Sequence, residues 1–190
     1  VYVCDKCFLV QLESFETPSA IFSDYAYFSS YSESWLDHCR QYAETMMRRL
    51  RLDTHSLVIE AASNDGYLLQ YFAAHKIPVL GIEPARNVAE VAREKGIPTE
   101  ILFLGKETGA RLAKEGKQAD LLIGNNVLAH VPDLNDFVEG LKALLKPHGI
   151  LTMEFPHLQK LVELVQFDTI YHEHFSYFSF LTVRTILKEK

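Results

Sequence analysis

The sequence predicts an α/β protein of the doubly wound type, in which helices cover both faces of a mostly parallel sheet. Apolar runs and helical patterns alternate strictly along the chain. The expected strands lie near residues 57–61, 78–83, 98–103, 119–124 and 149–155, and the expected helices near 66–75, 86–95, 107–115 and 134–146. Such alternation requires crossovers between parallel strands, and right-handed crossovers place helices on both faces. Ligands bind these sheets at the carboxyl ends of the strands, so we expect the functional residues directly after each strand.

Composition bounds the class of protein. A chain of 190 residues with 48% hydrophobic content can hold one full domain and a small appendage. A net charge of −6 and the absence of a basic stripe argue against a nucleic-acid partner. The sequence shows neither a membrane-spanning apolar run nor a signal peptide, and its three cysteines are too few for a disulfide framework, so we expect the reducing cytoplasm. The oligomeric state is left open.

The first 31 residues are expected to form the appendage, and residues 32–190 the main domain. Cys4 and Cys7 form a CxxC pair, which can supply half of a four-ligand zinc site or can be two free thiols. The aromatic residues that follow favour equally an irregular packing segment and a flap over the site, in which Tyr25 or Tyr27 offers a hydroxyl. From Ser34 onward, a stripe that includes Trp35 and Cys39 predicts an amphipathic helix with Cys39 buried.

The first predicted strand leads into a helix through a loop suited to a ligand. That strand ends at Glu60, and the small residues that follow let a ligand approach the backbone at a helix N-terminus. The loop is poor in glycine, since two of the three positions of the dinucleotide fingerprint are Ala62 and Asn64. About twenty residues further on, Glu83 ends the second strand, where an acid suits the ribose hydroxyls of a nucleoside-containing cofactor.

Polar residues also follow the fourth and fifth strands. Asn125 and Asn126 can either bind a cofactor or only cap their turn, and His130 lies where this fold places its substrate. Beyond the fifth strand comes the segment 171–174, Tyr-His-Glu-His. It is either a solvated polar turn or a partly desolvated acid–base group between apolar runs, and we expect the latter. A metal site is not expected there, since no third ligand is evident.

Several motifs together resemble a known family. The stretches 60–69, 81–84 and 125–137 look like class I S-adenosylmethionine-dependent methyltransferases, which have a Rossmann-like fold. The stretches 154–157 and 166–177 narrow the resemblance to sugar C-methyltransferases acting on nucleotide-linked keto-deoxysugars. Carried onto this chain, the resemblance implies these cofactor-binding residues: Glu60, Ala62, Ser63, Asn64, Gly66, Tyr67, Leu68, Glu83, Pro84, Asn125 and Asn126.

The same resemblance implies parts that this sequence lacks. The family has a zinc-binding N-terminal module with two cysteine pairs, of which only Cys4 and Cys7 are present, and a further C-terminal domain. We therefore expect this chain to be part of a longer protein and to hold zinc weakly or not at all. An anionic sugar nucleotide needs local phosphate donors, which the missing C-terminal part could supply.

The expected chemistry is methyl transfer to a carbon that a base has first deprotonated beside a carbonyl. We expect His174 to be the base, with Glu173 orienting or charging the site, and Tyr171 and His130 to hydrogen-bond the developing oxyanion. One alternative is an O- or N-methyltransferase of a small metabolite, which needs less base chemistry. Another is a non-catalytic fragment that only binds the cofactor.

Overall fold

A computed structural model describes residues 1–188 and contains eight strands and eight helices within that range. The strands are β1 (Tyr2–Val3), β2 (Val10–Gln11), β3 (Val58–Ala61), β4 (Val79–Ile82), β5 (Thr99–Glu100), β6 (Ala119–Asn125), β7 (Leu145–Glu154) and β8 (Ser176–Tyr177). The helices are α1 (Pro18–Phe22), α2 (Glu33–Leu50), α3 (Leu69–Ala74), α4 (Arg86–Glu94), α5 (Lys106–Lys114), α6 (Leu134–Leu144), α7 (Leu158–Glu163) and α8 (Phe180–Lys188). None of these helices is long and apolar enough to cross a membrane.

Five of the strands form one parallel sheet in the order β5-β4-β3-β6-β7, which confirms the predicted fold class. The central strand is β3, whose Val58 pairs with Val79 of β4 on one side and Leu121 of β6 on the other. The chain runs from β3 outward to β5 and then returns to the other side of β3. That reversal opens a crevice at the carboxyl ends of β3 and β6, where this kind of sheet binds ligands.

The core divides into two clusters because alternate strand residues point to opposite faces of the sheet. Ile59 and Leu122 belong to one cluster, which the helices α5 and α6 cover. Val58 and Leu121 belong to the other, which α2 and α3 cover, with Cys39 fully buried in it as predicted. Burying each of these large aliphatic side chains contributes about 1.5–3 kcal/mol, so both helical layers are held firmly against the sheet.

Some element boundaries differ from the prediction. The helix expected from residue 66 begins at Leu69, because the residues before it form a tight turn in which the Gly66 N–H donates to the Ser63 carbonyl. The strand expected over 98–103 keeps only two residues. The last strand starts earlier than expected, at Leu145, and its pairing with β6 slips across a bulge that accommodates Pro147.

A second, small sheet joins the two ends of the described chain. Its order is β1-β2-β8, and Val10 of β2 pairs antiparallel with Tyr177 of β8. The Leu12 N–H extends this pairing by donating to the Phe175 carbonyl at 2.9 Å. The N-terminal hairpin is therefore packed against the strand that directly follows the 171–174 segment.

Candidate functional site

A cavity of about 820 Å³ opens at the carboxyl ends of β3, β4 and β6. Its floor consists of strand ends and the loops after them, and its roof comes from residues 18–35. The residues that line it include Phe22, Tyr25, Tyr27, Ser29, Trp35, Ala62, Asn64, Tyr67, Glu83, Pro84, Phe103, Asn125, Asn126, His130, Asp133 and Asp136. The volume lies in the range of small-molecule and cofactor sites, and aromatic side chains form much of the wall.

Glu83 is held rigidly at the edge of this cavity. One of its carboxylate oxygens accepts the Asn64 N–H and the other accepts the Ala85 N–H, each at 2.9 Å. Burial raises the pKa of the Glu83 carboxyl, while the two N–H donors oppose that shift. A carboxylate oxygen can accept more than one hydrogen bond, so both oxygens keep capacity for a ligand's hydroxyl groups.

Seven of the eleven predicted cofactor residues line the cavity, and four do not. Those on the wall are Ala62, Asn64, Tyr67, Glu83, Pro84, Asn125 and Asn126. Leu68 lies fully buried in the core, and Ser63 is buried against Gly81, where a Cβ would meet its Oγ. These two residues support the loop from behind, so direct contact with a cofactor is not what their positions favour.

Gly66 also lies behind the wall, and its surroundings explain the glycine without a ligand. It has a φ of +77°, and a Cβ built on it would lie 3.0 Å from Ile97 Cγ1 and 3.4 Å from Ala92 Cβ. Those atoms belong to the core and not to the cavity. Glycine is required here for the left-handed turn and for close packing, whereas a ligand's approach to the backbone does not involve this residue.

Glu60 is the most unusual group near the site. Its side chain is fully buried, and neither carboxylate oxygen has a hydrogen-bond partner that meets the usual geometry. Burial raises the pKa of Glu60 well above its ordinary value, although the nearby Tyr67 hydroxyl opposes this. Its neighbours Ala61 and Ala62 and the Tyr67 side chain form part of the cavity wall. A buried carboxyl that has only the Tyr67 hydroxyl nearby, directly behind a cavity wall, is suited to a cationic group of a ligand.

His130 and His174 pack edge to face with ring centroids 4.8 Å apart. His130 follows β6 and lines the cavity, whereas His174 lies behind it. The two segments are joined by the Phe175 N–H, which donates to the Ala129 carbonyl at 2.8 Å. The structure therefore brings together two residues that are 44 positions apart in the sequence.

The tautomers of both rings follow from their partners. The Nδ1 of His130 lies 3.0 Å from the Glu173 carbonyl, and the Nδ1 of His174 lies 2.9 Å from the Thr169 carbonyl. A carbonyl only accepts, so each Nδ1 carries a proton and each Nε2 of a neutral ring is an acceptor. The Tyr171 hydroxyl lies 3.1 Å from the Nε2 of His174 and therefore donates to it.

These contacts bear on two roles expected from the sequence. His130 is neutral, since burial and the neighbouring His174 lower its pKa to about 4, and its free nitrogen cannot donate to an oxyanion. Glu173 hydrogen-bonds His130 through its backbone carbonyl, and the charge of its carboxylate opposes the lowering of the His174 pKa, in keeping with the charging role expected for it. Burial also lowers the pKa of His174, so this end of the 171–174 segment is partly desolvated, while Tyr171 and His172 are exposed.

Sequence reasoning missed part of the roof. Trp35 was assigned to the core stripe of α2, yet its ring lines the cavity, near Tyr67 at a centroid distance of 6.0 Å. The flap interpretation of residues 8–31 matches the position of Tyr25 and Tyr27 on the cavity wall. Burial and the nearby Glu173 raise the pKa of Tyr25 to about 12, so its hydroxyl stays protonated.

Cys4 and Cys7 lie at the tip of the N-terminal hairpin, Cys4 partly buried and Cys7 exposed. Backbone N–H groups of Cys7 and Lys6 lower the pKa of the Cys4 thiol. Within residues 1–188, no group of three or more His, Cys, Asp or Glu side chains is placed to hold a metal ion. Weak zinc binding therefore stays a prediction.

Comparison with known proteins places this geometry in a family. A family model described as a methyltransferase domain matches residues 33–190. The chain is 37% identical over 188 residues to C-methyltransferase NovU from Streptomyces niveus, covering 99% of this chain and 45% of that protein. It is 26% identical over 95 residues to a ubiquinone biosynthesis O-methyltransferase from Bartonella tribocorum, covering 50% of this chain and 38% of that protein. The chain thus spans less than half the length of these curated relatives.

The fold is shared with solved structures. A SAM-dependent methyltransferase from Archaeoglobus fulgidus superposes with a TM-score of 0.61 at 14% identity, covering 80% of this chain and 67% of that one. Together with the match over residues 33–190, the parallel sheet and the cavity at its carboxyl edge, these likenesses lead to one conclusion: the chain belongs to the methyltransferase-domain family, whose members are S-adenosylmethionine-dependent enzymes.

Proposed function

We propose that this domain methylates a carbon atom beside a carbonyl group, and that its substrate is a nucleotide-linked keto-deoxysugar. The observation that carries the reaction type is the cluster of Tyr171, His174 and His130, of which His130 lines the cavity, because carbon methylation of this kind needs both a base and an oxyanion donor. The relative at 37% identity is named a C-methyltransferase, which supports the same choice.

The residues of the cavity fit S-adenosylmethionine. Glu83 is placed to accept from ribose hydroxyls, and the unpartnered carboxyl of Glu60 is suited to the ammonium of the amino-acid portion. Asn125 and Asn126 offer amides from the end of β6, and Pro84 and Phe103 offer apolar surface for the adenine. When bound, S-adenosylmethionine supplies an electrophilic methyl group. The residues of the chain bind it, orient it and exclude water.

The acid–base step is assigned to Tyr171 and His174. In this structure the Tyr171 hydroxyl donates to the Nε2 of His174, the only nitrogen of that ring with a free electron pair. When a carbonyl oxygen of the substrate accepts the Tyr171 hydroxyl instead, Nε2 is freed. His174 then takes the proton from the adjacent carbon, the electron pair moves to the carbonyl oxygen, and Tyr171 hydrogen-bonds the resulting enolate.

His130 supports this step by being neutral. Its ring lies edge to face against His174, and a positive charge there would oppose protonation of the base. The low pKa of His130 removes that charge at neutral pH. We therefore assign His130 a role on the cavity wall beside the base, in place of the oxyanion-donor role expected from the sequence.

The charge of the wall bears on how a sugar nucleotide would lie. Glu83, Asp133 and Asp136 line the cavity, and no Lys or Arg does within the described part of the chain. A diphosphate would be repelled from such a wall, so we propose that the sugar enters and the diphosphate stays outside. Its donors would then come from polypeptide beyond this chain, as the greater length of the relative named C-methyltransferase NovU suggests, since this chain covers 45% of it.

Deuterium exchange tests the reaction type. The enzyme is given a nucleotide-linked ketosugar in deuterated water, with S-adenosylhomocysteine in place of the methyl donor, and should wash deuterium into the carbon next to the carbonyl. His174→Asn should lower exchange and methylation together by about 10²–10⁴-fold. The exposed His148 provides a matched control, and His148→Asn should behave as wild type.

Two outcomes would overturn the proposal. Exchange that persists in His174→Asn would place the base elsewhere, and an O-methylated product without exchange would favour the alternative reaction. O-methylation has a specific observation in its favour, namely the partial similarity to ubiquinone biosynthesis O-methyltransferases. A chain that binds S-adenosylhomocysteine but neither exchanges nor methylates would indicate a fragment that only binds the cofactor.

A further inference from the structure

Residues 25–30, here called the clamp segment, cross over the cavity and are tied to the cofactor side of the domain at three points. The segment has no regular secondary structure over most of its length, and only its last two residues enter a 3-10 turn. Tyr25, Tyr27 and Ser29 all line the cavity. Its position is therefore set by side-chain anchors from elsewhere in the fold and not by a helix or a sheet.

Asn87 of α4 makes the first anchor. Its Oδ1 accepts the Tyr25 N–H at 3.0 Å, and its Nδ2 donates to the Tyr25 carbonyl at 2.7 Å. One amide thus satisfies both backbone groups of Tyr25, as a neighbouring strand would. Asn87 does not line the cavity, so these contacts with Tyr25 are the route by which it can act on the site.

Asn64 makes the second anchor and links it to Glu83. Its Oδ1 accepts the Ser29 N–H at 2.9 Å, and its Nδ2 donates to the Tyr27 carbonyl at 3.0 Å. The backbone N–H of the same residue donates to Glu83. The carboxylate assigned to the ribose hydroxyls and the clamp segment therefore share one residue, which itself has a left-handed φ of 49°.

The third anchor fixes the end of the segment. Ser30 donates to the Oδ2 of Asp65, and Lys95 lies 3.0 Å from both the Ser30 Oγ and that same carboxylate oxygen. Asp65 is 1% exposed, so this ion pair is shielded from solvent on one side. At the opposite end, Phe22 packs edge-on against His130 with ring centroids 5.3 Å apart. The roof therefore reaches from the cofactor loop to the acid–base cluster.

We propose that Asn87 and Asn64 are positioning residues that close the clamp segment over the cofactor, and that cofactor binding at Glu83 and clamp closure stabilise each other. The inference rests on the proposed cofactor site at Glu83. Its physical basis is linkage between ligand binding and clamp closure. A ligand that fits the closed cavity binds only the closed state. The apparent dissociation constant therefore rises in proportion as the fraction of molecules with a closed clamp falls.

Hydrogen exchange combined with calorimetry tests this, with S-adenosylhomocysteine as the probe. In wild type, the ligand should slow exchange of the Tyr25 and Ser29 amides at least tenfold, because both are hydrogen-bonded only when the clamp is closed. Asn87→Ala should abolish the protection of Tyr25 and weaken the ligand about tenfold, equivalent to about 1.4 kcal/mol. Asn87→Asp keeps the acceptor for the Tyr25 N–H and loses the donor to the Tyr25 carbonyl. Its amide protection and its ligand affinity should therefore lie between those of wild type and those of Asn87→Ala.

A matched control is Asn135→Ala, at an exposed position of α6, which should leave both the affinity and the exchange as in wild type. Ligand binding to wild type without any change in exchange over 25–30 would overturn the inference, and that measurement needs no variant. So would a folded Asn87→Ala with unchanged affinity. A wild type that does not bind the ligand at all would reject the cofactor site as well. A failed deuterium wash-in would reject only the reaction type.

Discussion

The proposed role of Glu83 in binding the ribose hydroxyls can be tested by removing the charge of its side chain while keeping its shape. Its two oxygens satisfy the N–H groups of Asn64 and Ala85, both of which are buried residues. Glutamine has one carbonyl oxygen, so Glu83→Gln leaves one of these donors facing an NH₂ group, at a cost of about 1–3 kcal/mol of folding stability. Glu83→Ala leaves both unsatisfied and should cost roughly twice as much. Simple loss of binding in the alanine variant would therefore mix stability with recognition.

The loss of folding stability and the loss of ligand recognition can be separated by a double-mutant cycle. In it, the Glu83 carboxylate and a ribose hydroxyl of the ligand are removed singly and together. Hydrogen bonds to a charged group contribute about 1.5–3 kcal/mol, so wild type should bind 2′- or 3′-deoxy analogues of S-adenosylhomocysteine roughly 10–100-fold more weakly than the parent. In Glu83→Gln the same deletion should cost only about 2–10-fold. Calorimetry gives all four affinities, and Glu94→Gln, at an exposed position of α4, is the control. Equal losses in wild type and Glu83→Gln would refute ribose recognition by Glu83.

Two further predictions follow from buried ionisable groups. Because Glu60 has a pKa raised well above its ordinary value, binding a ligand ammonium should release a proton; calorimetry in buffers of different ionisation enthalpy should show this release in wild type and not in Glu60→Gln. His130 has a folded pKa of about 4 against 6.5 when unfolded, so the free energy of unfolding should fall as the pH drops from 6.5 to 4, by about 3 kcal/mol at most. Urea unfolding of wild type and His130→Gln should show that this loss is confined to wild type, and identical pH profiles would contradict it.

The main sheet could be predicted from the sequence because its strands β3, β4 and β6 are buried on both faces. A strand covered on both sides is a continuous apolar run, and such runs with helical patterns between them are visible without any structure. The small sheet could not be predicted, since β1, β2 and β8 have two residues each and carry no periodicity. Its existence depends on a contact between residues 10–11 and 176–177, which no local pattern encodes.

The candidate site was predictable to the extent that it follows strand ends. Glu83 directly follows β4, Asn125 ends β6 and His130 lies five residues beyond it, and all three line the cavity. Trp35 does pack against the core beside Cys39, as its helical stripe predicts, and only the tertiary position of α2 shows that this residue also lines the cavity. No sequence pattern pointed to Asn87, because asparagine is common in the first turn of a helix.

The acid–base cluster shows why motif composition alone does not assign chemical roles. The sequence marks the segment 171–174 and His130 as candidates for the chemistry, yet the roles that we propose for them depend on two backbone carbonyls. Had Glu173 presented its carboxylate to His130, the ring would have been held as a cation and could have donated to an oxyanion. Its carbonyl instead fixes the proton on Nδ1 of a neutral, buried ring, and the Thr169 carbonyl fixes His174 in the same way. In the mechanism that we propose, the Tyr171 hydroxyl is then the group that can both occupy the Nε2 of His174 and release it to the substrate.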